Sequence, residues 1–195
     1  MSLLGTLPLM LALGASPTAT STSAALAPPV STARRLPVSL SYFGEALAHP
    51  GLRVASEFTL ARSGGHQLLL EPALGGSFHR GHSLGLFAEG LLGYRYTFDV
   101  GLRAEALVGL GYLHTLADGT VYAPSSAGGF DAVTNLGRPA ALASAALGLG
   151  WEFARTSGAP VSAFLRPRLT YQTPCHHSGR LGLAVELGLS WTLPL

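Results

Sequence analysis

SLGLFAEGLLGYRY, residues 83–96, places Leu84, Leu86, Leu92 and Tyr94 on one side of an extended chain and Glu89 and Arg95 on the other. A period of two is the period of a strand with two different faces. The same alternation recurs on both sides of this stretch. Downstream, LRAEALVGLGYL (102–113) sets Leu102, Val108, Leu110 and Tyr112 against Arg103 and Glu105. Upstream, HQLLLEPALGGSF (66–78) sets Leu68, Leu70, Leu74 and Phe78 against Gln67, Glu71 and Ser77, and GLRVASEFTLAR (51–62) sets Leu52, Val54, Phe58 and Leu60 against Arg53, Glu57 and Thr59.

Four further runs follow the same rule. PVSLSYFGE (37–45) has Val38, Leu40 and Tyr42 opposite Ser39, Ser41 and Glu45; AALASAALGLGWEFA (140–154) has Leu147, Leu149, Trp151 and Phe153 opposite Ser144 and Glu152. VSAFLRPRLTYQ (161–172) has Val161, Leu165, Leu169 and Tyr171 opposite Arg166, Arg168 and Gln172. LGLAVELGLSWTLPL (181–195) carries apolar residues at alternate positions from Leu181 to Leu193, opposite Glu186, Ser190 and Thr192. The expected fold is an all-β, eight-stranded antiparallel up-and-down barrel over 36–195.

The charges identify the face that meets lipid. Arg53/Glu57, Glu89/Arg95, Arg103/Glu105 and Arg166/Arg168 are separated by even numbers, so each pair shares a face however the strand is phased. Glu45, Glu57, Glu71, Glu89, Glu105, Glu152 and Glu186 join those arginines on the polar face, and no charge falls on the apolar one. Alternation by itself does not say which face is inside. The aromatic residues of the charge-free face decide it, because they gather near strand ends. Tyr42, Phe78, Tyr112 and Tyr171 form one rim and Tyr94, Tyr96, Phe98, Trp151, Phe153 and Trp191 the other. Two aromatic girdles flanking an apolar band are the pattern of a transmembrane barrel. The interior of an eight-stranded barrel is roughly filled by side chains, so the inward Glu and Arg are expected to pair rather than line a channel.

Composition agrees. Charged residues make up 11% of the 195-residue chain and glycine numbers 25, a combination suited to a lipid-facing surface rather than to a soluble enzyme. A net charge of +2, evenly spread, excludes a nucleic-acid surface. Residues 1–27 read as a secretory signal peptide: an apolar stretch from Leu3 to Ala15, then small residues, with Ala25-Leu26-Ala27 as cleavage site and Ser23-Ala24-Ala25 as a competing one. Residues 28–35 form an N-terminal segment. With the termini in the periplasm, short turns fall at 62–65, 98–101 and 155–160, and external loops at 48–51, 79–82, 117–139 and 173–179.

The C-terminal LGLAVELGLSWTLPL resembles the terminal strand by which outer-membrane barrels are recognised by the barrel-assembly machinery, ending on Leu195 where an aromatic is usual. Across 36–195 the chain resembles the small eight-stranded barrels of the OmpA and OmpX type. YFGEALAHPGLRVASEFTL, GYRYTF and GLGYLHT also resemble an uncharacterised group of bacterial barrels. The resemblance implies residence in the bacterial outer membrane, with lipid as the surrounding partner, and it implies no activity.

No catalytic site or cofactor is expected. Lipid A deacylases are small barrels using Ser, His and a carboxylate, with His and Ser two apart on one face. Here His82 and Ser83 are adjacent and point to opposite faces. The leading expectation is a structural or surface-interaction role with an unidentified surface ligand; the alternatives are a narrow small-solute pore and a lipid-modifying enzyme. His49, His79, His82, His114, His176 and His177 all fall at the external rim beside Cys175, the only cysteine. Imidazole and thiolate are zinc and copper ligands, so His79, His82, His176, His177 and Cys175 are candidate metal ligands, with solvated loop histidines as the default. The loop 117–139 lacks sustained alternation. Its two aromatics, Tyr122 and Phe130, either contact a partner or sugar or fold back over the barrel mouth.

Overall fold

The structure, a computed structural model, describes residues 35–45, 49–175 and 178–194, excluding the side chains of 35, 45, 174, 175, 178 and 194. The signal-peptide reading of 1–27 therefore lies outside the described residues. In chain order the elements are β1 (Arg35–Glu45), β2 (Gly51–Ser56), β3 (Phe58–Ser63), β4 (His66–His79), β5 (Ser83–Thr97) and β6 (Leu102–Ala117). They continue as β7 (Val121–Pro124), β8 (Phe130–Val133), β9 (Arg138–Glu152), a helical turn α1 (Phe153–Thr156), β10 (Val161–Cys175) and β11 (Ser178–Pro194).

Every ladder is antiparallel, and the main sheet runs β2-β1-β11-β10-β9-β6-β5-β4-β3 with β2 also paired to β4. That last pairing closes the ring. Taken together, β2 and β3 are one barrel strand, so the fold is a closed eight-stranded antiparallel barrel. Closure through β2 pairs the sheet edges except along β3, and a barrel in hydrocarbon needs such pairing over its span. Both described chain ends lie at the end that carries the turns 64–65 and 98–101, and the longest connection, 118–137, lies at the other.

The strand broken at Glu57 departs from the continuous run 51–62. The β1–β2 ladder covers Val38–Tyr42 only. At its turn-end limit the Glu57 N–H donates to the Pro37 carbonyl at 3.0 Å, and Pro37 has no N–H to return. Beyond that point β3 pairs with β4 alone among the described residues. A bulge at Leu60, where Thr59 faces Leu69 and Ala61 faces Leu68, then shifts the phase of β3. Arg62, expected in the turn, thus sits within β3 opposite Gln67, and the turn itself is Gly64–Gly65.

Two other segments are more regular than their sequence implied. The loop 117–139 contains the hairpin of β7 and β8, and the turn 155–160 begins two residues early, with a helical turn from Phe153. Tyr122 (62% exposed) and Phe130 (71% exposed) stand out into solvent and do not fold back over the mouth.

Burial alternates along the barrel strands with the expected sense. Along β5, odd positions from Gly85 to Thr97 are buried and even ones through Tyr94 exposed. Arg53, Glu57, Glu71, Glu89, Arg95, Arg103, Glu105, Arg166, Arg168 and Glu186 are all buried, while Leu52, Leu74, Leu110, Leu147 and Leu183 are exposed. The barrel is inside-out relative to a soluble protein, with ionised groups in its core and leucines on its outer surface.

Candidate functional site

The lumen is stratified. At its middle, four arginines and five glutamates interlock. Arg53 donates to Glu71 at 2.6 Å, Glu89 at 2.9 Å and Glu186 at 3.0 Å. Arg166 donates to Glu105 at 2.6 Å and, through both terminal nitrogens, to Glu71 at 3.0 Å. Arg95 holds Glu57 with two bonds, at 2.6 and 2.8 Å, and Glu105 with a third at 2.8 Å. Arg168 bonds to Glu89, and Ser41 donates to Glu186 at 2.8 Å. Sharing each carboxylate between cations answers the desolvation cost of charges held away from water, and the two-pronged guanidinium geometry fixes the strands against one another. The planar Arg166 guanidinium also lies over the Phe164 ring, 4.1 Å from its centroid.

Inward glycines make room for these bulky groups. A Cβ on Gly148 would stand 2.6 Å from Glu105 Cγ and 2.9 Å from Arg166 Cγ. One on Gly188 would stand 2.5 Å from Phe164 Cζ. These β9 and β11 positions are glycine because the lumen is already full there.

On the loop side of the charges, Phe43, Phe87, Leu113, Leu142 and Ala184 pack into an apolar plug, with Phe43 and Phe87 ring centroids 5.3 Å apart. A cavity of about 30 Å³ is lined by plug residues together with Glu89 and Arg168. A second apolar cluster, Leu69, Leu91, Leu107 and Ala146, lines the wall formed by β4, β5, β6 and β9. On the turn side the lumen opens into a cavity of about 710 Å³, whose lining includes Glu57, Arg62, Arg95, Arg103, Glu152 and Arg155.

Among the described residues the loop-end histidines form no shared set of ligands. His79 stacks on His49 with centroids 3.5 Å apart and the planes 24° from parallel, an arrangement that does not aim two ring nitrogens at one point. The His82 Nδ1 lies 3.3 Å from the Arg80 carbonyl. His114 is held by the Tyr112 hydroxyl at 2.9 Å and the Leu136 carbonyl at 3.1 Å. Among the described residues no three His, Cys, Asp or Glu side chains are grouped to hold a metal ion. His176, His177 and the Cys175 side chain, the other candidate ligands, lie outside the described residues.

Closure of the ring, buried ion pairs and a charge-free outer band belted by Tyr42, Phe78, Tyr112 and Tyr171 at one end and Tyr94, Trp151 and Trp191 at the other decide the architecture. It is that of the small eight-stranded outer-membrane β-barrels. Such a barrel is covered over its apolar band by lipid. No protein-family model matches the chain, and neither does any curated protein. Solved structures similar to it include the N-terminal β-barrel domain of Pseudomonas aeruginosa OprF, at 14% identity and a TM-score of 0.46, covering 82% of this chain and 97% of that one. The outer membrane enzyme PagL is similar at 11% identity and a TM-score of 0.49, with 82% and 99% covered. Neisserial surface protein A is similar at 8% identity and a TM-score of 0.45, with 83% and 95% covered.

The inward apolar residues were not singled out from sequence. Phe43, Phe87 and Phe164 occupy the polar phase of their strands, where an apolar side chain breaks no rule. The signal that marks two of them is the glycine across the ladder: Gly75 faces Phe87 and Gly188 faces Phe164, whereas Phe43 faces Glu186.

Proposed function

We propose that the protein is a non-conducting, non-catalytic barrel of the bacterial outer membrane, exported through the signal peptide at 1–27 and assembled through its C-terminal strand, with termini in the periplasm. Its role is structural or lies in surface interaction through the loops at the far end. The observation that carries this reading is the filled lumen, in which interlocked Arg and Glu are backed by the Phe43–Phe87 plug. Support for the surface role comes from the β7–β8 hairpin, which holds Tyr122 and Phe130 in solvent at the loop end. Aromatic side chains on a projecting element are the usual anchors of a protein or sugar contact. Against catalysis stands the placement of His82, whose Nδ1 faces the Arg80 carbonyl while Ser83 opens β5 on the inward phase.

The test is conductance. Refolded protein in planar lipid bilayers is expected to give no steady single-channel steps. Reproducible open levels of uniform size would overturn the closed-lumen reading and put a small-solute pore in its place.

A further inference from the structure

Among the described residues, Arg103 is the one lumen arginine with no carboxylate within ion-pair distance. It is 2% exposed, and its sole hydrogen bond is from Nη1 to Ser162 Oγ at 3.0 Å. Its Nε and Nη2 are buried without a partner. The five lumen glutamates are each engaged by Arg53, Arg95, Arg166 or Arg168. The Phe164 ring, 5.6 Å from the Arg103 guanidinium carbon, supplies only a weak contact. A guanidinium held from water with most of its donors unused is costly, so such a group in a cavity marks a place for an acceptor.

The acceptor has somewhere to sit. Arg103 lines the turn-end cavity of about 710 Å³ with its two unpartnered nitrogens turned into the wall, so an oxyanion in the cavity engages them by drawing the guanidinium round. Arg62, brought into the same lining by the bulge at Leu60, has no carboxylate within ion-pair distance among the described residues. The cavity's other charges are spoken for: Glu57 by Arg95, and Glu152 by Arg155 at 3.2 Å. Hydroxyls of Thr59, Ser190 and Thr192 complete the polar lining. Two uncommitted guanidiniums, one buried and one nearer the mouth, suit a doubly charged oxyanion that accepts from a planar fork.

We propose that the turn-end cavity binds a phosphate group, with Arg103 as its anchor and Arg62 as the second cation. Two sources share that chemistry. A small phosphorylated solute would enter along the barrel axis from the turn end. A phospholipid headgroup would enter sideways where β3 lacks a β1 partner, past Leu36, Pro37 and Phe58, which line the same cavity.

The experiment follows the arginine Nε–Hε resonances of ¹⁵N-labelled refolded protein in maltoside micelles, with Arg103 assigned through Arg103→Lys. Titration with inorganic phosphate is expected to move the Arg103 signal to saturation. Arg103→Gln should weaken the binding by about tenfold or more, and Arg62→Gln by a smaller factor. Repeating the titration in phosphatidylglycerol nanodiscs separates the sources. A signal already shifted and unresponsive to added phosphate means the headgroup occupies the site; one that still titrates means a free solute does. No movement in either environment overturns the proposal, as does undiminished phosphate binding by Arg103→Gln. If Arg103→Gln does not refold, the wild-type titration and Arg62→Gln, whose side chain lies at the exposed rim, decide by the same criteria.

Discussion

Replacing Glu71 by alanine removes a lumen carboxylate that accepts three hydrogen bonds from two arginines. Its side chain is fully buried and accepts from Arg53 Nη2 at 2.6 Å and from both terminal nitrogens of Arg166 at 3.0 Å. Each hydrogen bond to a charged group contributes about 1.5–3 kcal/mol, but the two arginines are not orphaned. Arg53 keeps Glu89 and Glu186, and Arg166 keeps Glu105 at 2.6 Å with Glu186 at 3.6 Å. The expected loss is therefore at the lower end of the range for breaking a buried pair, about 3 kcal/mol. Glu71→Gln, which keeps an acceptor and loses the charge, should cost about 1–2 kcal/mol. The double change Glu71→Leu with Arg166→Met should cost less than the two single changes together, because it removes a cation along with its counter-ion. Urea unfolding from lipid vesicles measures all three. The fluorescence of Trp151 and Trp191, both on the outer surface, and heat-modifiable gel migration serve as readouts. A loss below about 0.5 kcal/mol for Glu71→Ala, the range of ordinary surface changes, would refute the view that the network holds the barrel together.

Leu110 stands 74% exposed on the outer face of β6, so Leu110→Arg should cost about 2–4 kcal/mol in the same assay if the residue lies near the bilayer midplane. Gly148→Ala, which drives a methyl group against Glu105 and Arg166, should cost about 1–3 kcal/mol through overpacking, read as a lower urea midpoint. Protease added to intact cells should cut at 125–129, the tip of the β7–β8 hairpin, leaving two fragments that mass spectrometry identifies and that stay together as a folded barrel. Cleavage there only after the periplasm is opened would invert the orientation.

The strands and their facing were legible in the sequence because lipid is intolerant. A single arginine on the outer face is expensive, so the phase of Arg53, Glu89 or Arg166 reports directly which way each strand faces. The lumen enforces no comparable rule. Phe43, Phe87 and Leu113 share the inward phase with glutamates, and only the three-dimensional stacking of strands shows that they gather into a plug. The break at Glu57 had a sequence signal in Pro37, but its effect depends on the register that sets Pro37 across from Glu57. Arg103 was correctly placed on the inner face. That it alone among the lumen arginines lacks a glutamate depends on which carboxylates the other four reach, and sequence spacing does not carry that information. The β7–β8 hairpin escaped because two four-residue strands are too short for alternation to stand out from a loop.

The central claim is that the charge-free face meets hydrocarbon while the charges stay inside. Spin labels placed one at a time at Leu107, Val108, Leu110, Tyr112 and Leu113 of β6, in a Cys175→Ser background reconstituted into lipid vesicles, test it most directly. Collision rates with oxygen, which concentrates in lipid, should be high at Val108, Leu110 and Tyr112 and low at the inward Leu107 and Leu113, with a water-soluble nickel reagent excluded from the first set. High nickel accessibility at Val108 and Leu110 would mean that this face is bathed in water and that the barrel does not span a membrane.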